Sequence, residues 1–106
     1  MSASVIFVTA KSEAEARRLG RGLVQDRLAA AVNILPGLGS FYWWQGELRE
    51  ADEALLLVKT RADLVDQVAA RIKAEHAYAC PSILALPVEA GNQDYLDWIE
   101  QETAPG

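Results

Sequence analysis

The sequence predicts an α+β fold with the element order βαββαβ and one further helix at the C-terminus. Three observations predict it. Short β-branched runs alternate with amphipathic helical stretches along the 106 residues. Two apolar runs on either side of Gln45-Gly46 form one unusually long β-hairpin from Ala31 to Thr60. Ser12 and Glu15 have the spacing of a capping box at the start of the first helix. At this length we expect a single domain, residues 1–106.

The first strand and helix follow from local pattern. Ser4 to Thr9 is short, β-branched and apolar, which indicates a buried strand. Ser12 and Glu15 are expected to satisfy each other's backbone donors and to begin an amphipathic helix that runs to about Leu28. Gly20 lies on the apolar stripe of this helix, and this predicts close packing against the sheet.

The hairpin has a predicted register. If Gln45-Gly46 forms a two-residue loop, Trp44 pairs with Glu47 at the tip and Val32 with Lys59 at the base. A 14-residue strand could reach about 45 Å, whereas a first helix of about 16 residues spans only about 24 Å.

Two parts of the hairpin are expected to depart from regular pairing or packing. Pro36 cannot donate to a ladder, so a bulge or bend is predicted there, and the polar run Arg49 to Glu53 is expected to interrupt pairing. The aromatic tip Phe41 to Trp44 overhangs the helices. An exposed apolar strand end favours aggregation unless a neighbouring copy covers it, which predicts a symmetric oligomer.

The second half of the chain completes the fold. Thr60 is expected to cap a second helix that ends near Glu75, and Ser82 to Val88 is predicted as a strand. Gly91-Asn92 opens a short last helix, and Thr103 to Gly106 is expected to fray. The order describes a ferredoxin-like sandwich, with helices on one face of an antiparallel sheet.

Composition excludes several classes of partner. The net charge of −5 argues against nucleic acid and against an anionic membrane surface. No apolar run approaches the length of a membrane span, about 18 residues. The single cysteine, Cys80, fits a reducing compartment. We therefore expect a cytoplasmic protein.

Enzyme signatures are scarce. The chain has neither the G-x-x-x-x-G-K-[ST] phosphate loop nor G-x-G-x-x-G. Its one histidine, His76, has no serine or cysteine nucleophile that the sequence places beside it. We expect no enzymatic activity.

Many short pieces match one known family in order and spacing. The pieces are Leu28–Ile34, Pro36-Gly37, Ser40–Gly46, Glu53, Leu55–Thr60, His76–Tyr78, Pro81, Leu86–Val88, Gly91-Asn92 and Tyr95–Ile99. On these residues the chain resembles the CutA divalent-cation tolerance proteins over nearly its whole length.

The resemblance implies a ferredoxin-like homotrimer whose sheets are joined between subunits through the long hairpins. It implies a non-enzymatic role in tolerance to copper and other divalent metals. The family is also similar to the PII signalling proteins in trimer architecture. Two alternatives therefore stay open: a PII-like sensor of a small anion, and a structural trimer that engages another protein.

The chain departs from the family's pattern at positions that could hold metal. This chain has Ala31 where the family usually has Cys, Ala79 where it has an acidic or polar residue, and Ser82 where it usually has Glu. His76 and Cys80 remain as candidate ligands for Cu(II) or another divalent ion, although two ligands fall short of a closed site. The other interpretation of His76 is a helix-ending histidine near the C-terminal dipole.

Three further groups of residues are candidates for a site. The predicted ligand-binding cleft contains Lys59, His76, Tyr78 and Trp44, and it requires a subunit boundary because Lys59 and Trp44 lie at opposite ends of the hairpin.

The aromatic group and the acidic group of the hairpin could each form a binding site, but each also has a purely structural explanation. Phe41, Tyr42, Trp43 and Trp44 are predicted to be trimer packing rather than a stacking platform, and Glu47, Glu50, Asp52 and Glu53 to be a solvated strand face rather than a cation site.

Overall fold

The computed structural model of the protein describes residues 2–103, and its elements follow the predicted order. The strands are β1 (Ala3–Ala10), β2 (Ala31–Trp44), β3 (Glu47–Arg61) and β4 (Ile83–Pro87), and the helices are α1 (Glu13–Gln25), α2 (Val65–Glu75) and α3 (Gln93–Glu102). The strands form one antiparallel sheet in the order β2-β3-β1-β4. The predicted α+β class and antiparallel sheet are confirmed. Within the described residues, no helix is long and apolar enough to cross a membrane.

The core lies between one face of the sheet and helices α1 and α2. Alternation along β1 and β3 places every second side chain on this face. The fully buried members are Ile6 and Val8 of β1, Leu56 and Val58 of β3, Leu19 and Leu23 of α1, and Val68 and Ile72 of α2. Gly20 is buried as predicted, because a Cβ there would lie 2.9 Å from Val32 Cγ1.

The opposite face of the sheet is largely uncovered. Helix α3 covers one end of it, where Ile99 packs on Ala3 and Ala30. The remainder presents apolar side chains to solvent, and we call it the open face: Phe7 (38% exposed), Leu35 (58%), Leu84 (64%) and Leu86 (50%). A patch of this kind on a water-exposed sheet is typical of an interaction surface.

The tip of the hairpin forms as predicted. Gln45 and Gly46 both have positive φ, 50° and 78°, which suits a two-residue turn that follows the twist of the strands. Trp44 pairs with Glu47. Pairing continues without a break through Arg49 to Glu53, so the expected interruption there is wrong.

A bulge in β2 changes the register at the base of the hairpin. It lies between Leu35 and Leu38, where the sequence predicts it from Pro36. Because the bulge adds one residue to β2, Val32 pairs with Val58, and the predicted pairing with Lys59 is wrong.

The same bulge changes which face of the sheet the following β2 side chains lie on. Before it, Ile34 faces the helices, but after it Leu38 pairs with Glu53, which shares the open-face side of β3. A one-residue slip moves every following side chain to the other face. Tyr42 and Trp44 therefore lie on the open-face side of the tip.

The first helix ends earlier than predicted. Asp26 is its C-cap, and the chain then turns through Arg27 at φ 63° rather than continuing to Leu28. The N–H of Leu28 donates to the carbonyl of Leu23 at 3.0 Å, as in a Schellman motif.

The capping box is only half formed. The Ser12 hydroxyl accepts from the N–H of Glu15 at 3.1 Å. The Glu15 carboxylate instead accepts from the N–H groups of Lys11 and Ala77. Glu15 is thus used for a tertiary contact.

Two further predictions about local structure are wrong. Thr60 does not cap α2, because it lies in β3 and its hydroxyl donates to the carbonyl of Leu28 at 2.6 Å; a 3-10 turn (Ala62–Leu64) precedes α2 instead. Thr103 is not frayed, since it is fully buried and donates to the carbonyl of Ile99 at 2.6 Å. The rest of the predicted frayed segment, 104–106, lies outside the described residues.

Candidate functional site

A groove of about 710 Å³ lies between the distal half of the hairpin and the loop that joins α2 to β4. Its lining is Thr9, Ser40–Trp44, Arg49, Glu53, Ala77–Cys80 and Ser82, and we call it the hairpin groove. The volume falls in the range of small-molecule sites, about 300–1,000 Å³. It brings together residues that are far apart in sequence, so its walls depend on how the loop is held.

His76 fixes the start of this loop. It is the C-cap of α2, with ψ 145°, so the predicted helix-ending position is confirmed. Its Nε2 lies 2.7 Å from the carbonyl oxygen of Thr9, and its Nδ1 accepts from the N–H of Tyr78 at 3.0 Å. Since a carbonyl only accepts, these contacts assign the neutral tautomer with the proton on Nε2.

Glu15 fixes the next residue of the loop. Its Oε2 accepts from the N–H of Ala77 at 2.7 Å, and its Oε1 accepts from the N–H of Lys11 at 3.0 Å. Burial alone would raise the pKa of Glu15, but these two backbone donors lower it below its ordinary value. The charged carboxylate therefore joins α1, the end of β1 and the loop.

Tyr78 carries the loop onto the hairpin. Its hydroxyl donates to Oε2 of Glu53 at 2.8 Å. Burial, and then the hydrogen bond to this carboxylate, raise the pKa of Tyr78 well above its usual value, so the phenol remains a donor. Glu53 is only 7% exposed.

Aromatic side chains form the hairpin wall of the groove. Tyr42 and Trp44, on the open-face side, are 39% and 40% exposed, whereas Phe41 and Trp43 on the other side are 71% and 73% exposed. The bulge therefore divides the aromatic tip into a half-buried pair, Tyr42 and Trp44, and a largely exposed pair, Phe41 and Trp43.

The predicted cleft is only partly assembled within one chain. Of its four residues, Trp44 and Tyr78 line the hairpin groove, and His76 orients Tyr78 from outside it. Lys59 lies at the base of the hairpin, where its Nζ donates to the Tyr95 hydroxyl at 3.2 Å and lies 5.3 Å from the ring centroid. Lys59 joins this cleft only if a second copy supplies it, which stays a prediction.

The described residues of one chain, 2–103, do not complete a metal site. Both ring nitrogens of His76 already take part in hydrogen bonds. Cys80 is an exposed free thiol, and because α2 ends at Glu75 it does not share a helix face with His76. Between residues 2 and 103 no group of three or more His, Cys, Asp or Glu could hold a metal ion.

Sequence reasoning missed the importance of Glu53. The interpretation of the acidic cluster as a solvated strand face holds for Glu47, Glu50 and Asp52, which are exposed, but it is wrong for Glu53. Strand alternation was the available signal, because it places Glu53 on the face opposite Glu50 and Asp52.

Comparison with known proteins identifies one family. The family model described as "CutA1 divalent ion tolerance protein" matches residues 4–102. The divalent-cation tolerance protein CutA of Thermus thermophilus is 50% identical over 99 residues, which cover 93% of this chain and 96% of that protein.

Solved structures agree with this match. A divalent cation tolerance protein from T. thermophilus superposes with a TM-score of 0.93 at 48% identity, covering 96% of this chain and 99% of that one. CutA1 from Oryza sativa superposes with a TM-score of 0.95 at 38% identity, covering 100% and 97%. A protein from Archaeoglobus fulgidus described as periplasmic superposes with a TM-score of 0.93 at 40% identity, covering 96% and 99%.

Each of these matches covers nearly the whole chain. Their sequence identities are high enough to indicate a shared family as well as a shared fold. The chain belongs to the CutA1 divalent ion tolerance protein family.

Proposed function

We propose that the protein is a non-enzymatic homotrimer of divalent metal tolerance, whose binding site is a cleft between the hairpin groove and a neighbouring copy. The observation that carries the proposal is the uncovered open face, at Phe7, Leu35, Leu84 and Leu86. Family membership supports the metal role, because the related proteins are named for divalent-cation tolerance.

Assembly is supported by two surfaces that one chain leaves exposed. The open face is apolar and lies next to the free edges of β2 and β4. The aromatic tip extends beyond the helices, and Phe41 and Trp43 on its rear side are more than two-thirds exposed. Closed rotational symmetry can cover both surfaces at once in a ferredoxin-like trimer.

The proposed metal is Cu(II) or another divalent ion, held by donors from more than one copy. Within one chain, His76 could offer a lone pair only at Nδ1, and only by releasing the N–H of Tyr78. Cys80 is accessible in the hairpin groove. Both residues are candidate ligands, each in need of further donors.

Calorimetric titration with Cu(II) tests the metal role. The wild-type protein is expected to bind Cu(II) with a whole number of ions per trimer. The variants His76→Ala and Cys80→Ala are expected to bind Cu(II) more weakly. Absence of saturable binding by the wild type would contradict the metal role. Unchanged affinity in both variants would remove these two residues from the site.

The sensor alternative has less support. Lys59, its proposed counter-charge for an anion, already contacts Tyr95. The most buried charged side chain of the hairpin groove is a carboxylate, Glu53, which disfavours anions. A thermal-shift screen with nucleotides and organic anions is expected to give no stabilisation, and a reproducible hit would favour the sensor. A structural trimer that engages another protein is the remaining alternative if neither the Cu(II) titration nor the thermal-shift screen detects binding.

We also propose a cytoplasmic location, on the basis of the free thiol of Cys80. Relatives described as periplasmic and chloroplastic show that the compartment varies in the family. Cell fractionation tests this proposal, and recovery outside the cytoplasm would contradict it.

A further inference from the structure

Glu53 is a buried carboxylate that has no cationic partner within residues 2–103. It is only 7% exposed, and it takes part in none of the ion pairs formed by those residues. Acidic side chains are almost never buried to this degree unless a positive group compensates for the lost hydration. The hydroxyl of Tyr78 donates to Oε2, but Oε1 has no hydrogen-bond partner in the described part of the chain. One chain therefore leaves Oε1 without the positive group that its burial requires.

The free oxygen of Glu53 faces the hairpin groove. No fully buried side-chain nitrogen or oxygen within residues 2–103 lacks a partner, so Oε1 must keep some accessible surface. Because Glu53 lines the hairpin groove, that surface opens into the groove. In the proposed trimer a neighbouring copy covers this groove, and the missing positive group must come from that copy.

Lys59 is the corresponding cation without a carboxylate partner. Of the basic residues on the open-face side of β3, Arg49 and Arg61 already pair with acidic neighbours in their own chain. Lys59 takes part in none of the ion pairs of residues 2–103, and its Nζ contacts the hydroxyl and the ring of Tyr95. An ammonium group has three N–H donors, so two remain for a carboxylate. The other basic residues of this range that form no ion pair lie on the helix side of the sheet: Lys11, Arg21 and Lys73.

Glu53 and Lys59 lie at opposite ends of one face of β3. Both alternate with Leu56 and Val58, which face the helices, so both belong to the open-face side. Six residues at about 3.3 Å each separate them by about 20 Å, which is too far for contact within one chain. The open-face positions between them are leucines. The face is therefore apolar in the middle, acidic at one end and basic at the other.

Cyclic symmetry brings such opposite ends together. In a closed ring of three copies each contact is heterologous, because one patch of a copy meets a different patch of the next copy. A carboxylate at one end and an ammonium at the other suit this arrangement, since they attract across the boundary, whereas two identical ends would repel.

We infer that Lys59 of each copy enters the hairpin groove of its neighbour and donates to Oε1 of Glu53, which gives three equivalent buried ion pairs per trimer. The inference rests on the proposed trimer and names the contact that joins its copies, but it does not depend on metal binding. The pair determines which end of one copy meets which end of the next. It also occupies Lys59, which is then no counter-charge for a free anion.

Charge reversal at both positions tests the pair on the full chain. Glu53→Lys and Lys59→Glu each place two like charges in the contact, so each variant should sediment as single chains at a concentration where the wild type is trimeric. The double variant, with Glu53→Lys and Lys59→Glu together, restores the attraction with the charges exchanged and should sediment as a trimer. The matched control combines Glu53→Lys with Lys73→Glu, because Lys73 is an exposed lysine of α2, and it should remain dissociated.

A neutral double-mutant cycle covers the case in which a reversed charge prevents folding. Lys59→Gln leaves the Tyr78–Glu53 bond in place, and it should weaken assembly by about a hundredfold or more because it leaves a buried charge unpaired. Glu53→Gln should weaken assembly in the same way. The double glutamine variant should assemble at least as well as either single variant, since it contains no unpaired charge. Sedimentation over a dilution series measures all four proteins.

Three results would overturn the inference and leave the proposed trimer intact. They are a Lys59→Glu variant that remains fully trimeric, a folded double-reversal variant that is no more trimeric than the single variants, and additive effects of the two neutral changes, as expected for residues that do not interact. A wild-type protein that sediments as single chains would contradict the proposed trimer itself. The Cu(II) titration is independent of these measurements, so the metal role can fail separately.

Discussion

The hydroxyl of Tyr78 donates a 2.8 Å hydrogen bond to the carboxylate of Glu53, and this bond joins the loop after α2 to the middle of the hairpin. His76 orients Tyr78 from one side by accepting its backbone N–H. Glu15 holds the intervening Ala77. The wall of the hairpin groove is thus held in place by four polar side chains that belong to three different parts of the chain.

Removal of the Tyr78 hydroxyl should destabilise the fold. In Tyr78→Phe the buried Glu53 loses the one side-chain donor that residues 2–103 supply to it, so the free energy of unfolding should fall by about 1–3 kcal/mol. Denaturant unfolding at one fixed protein concentration measures this. Tyr95→Phe is the control, because its hydroxyl contacts Lys59 in an exposed setting and its loss should change stability by less than about 0.5 kcal/mol. Equal effects of the two changes would contradict the importance of the Tyr78–Glu53 bond.

Two glycines of α1 should respond in opposite directions to alanine. A Cβ at Gly20 would lie 2.9 Å from Val32 Cγ1 and 3.3 Å from Val32 Cβ, atoms of a stiff side chain. Overpacking costs about 1–3 kcal/mol, which exceeds the gain of up to about 1 kcal/mol from helix propensity. Gly20→Ala should therefore lower the thermal midpoint.

The matched change is Gly22→Ala. Its Cβ would meet only the terminal Nη2 of Arg71 at 3.1 Å, and that end of a long side chain can shift. Here the higher helix propensity of alanine should decide the result, and the free energy of unfolding should rise by about 0.5–1 kcal/mol. A Gly20→Ala protein at least as stable as wild type would show that α1 does not need this close approach to β2.

Glu15 should make the free energy of unfolding depend on pH. Its pKa is lower in the folded chain than its ordinary value of 4.5, so the folded state binds fewer protons than the unfolded state. The stabilisation is fully present above that value and is lost as the pH falls through the folded pKa. At neutral pH, Glu15→Gln should lose about 1.5–3 kcal/mol, as for hydrogen bonds to a charged group.

Unfolding curves at several pH values check this dependence. The difference between wild type and Glu15→Gln should shrink as the pH falls below about 4.5. Glu13→Gln is the control, because Glu13 forms only an exposed pair with Arg17 and should have a small effect at every pH. A difference that stays constant with pH would exclude a lowered pKa at Glu15.

Trp44→Ala should weaken assembly. Trp44 is 40% exposed in one chain, and in the proposed trimer the rest of its ring is covered. Removal of a buried aromatic side chain costs about 3–5 kcal/mol. Size-exclusion chromatography with light scattering, after dilution and heating, measures the loss. A variant that still elutes as a trimer would contradict a central role for this side chain.

Much of the fold could be predicted because it depends on local pattern. The Gln45-Gly46 loop and the bulge at Pro36 follow from the conformational limits of those residues, and they determine the shape of the hairpin. The register at its base could not be derived by counting from the loop alone, because the bulge adds a residue between Leu35 and Leu38. Thr60 was misassigned because its hydroxyl bonds to Leu28, a tertiary contact that competes with capping.

The site was less predictable because it depends on which polar groups are buried together. Glu15 matched a local capping pattern but contacts a loop 62 residues away. Glu53 lay in a run of acidic residues that suggested solvent. Only strand alternation distinguished it, and burial by Tyr78 depends on the path of the loop after α2.

Sedimentation velocity of the wild-type protein beside two charge-introducing variants tests the proposed assembly most directly. The wild type should sediment as one species of three 11.6 kDa chains. Leu84→Glu, on the open face, should sediment as single chains, whereas Val24→Glu, at an exposed position of α1, should remain trimeric. A wild-type protein that sediments as a single chain at micromolar concentration, or a Leu84→Glu variant that remains fully trimeric, would contradict the account.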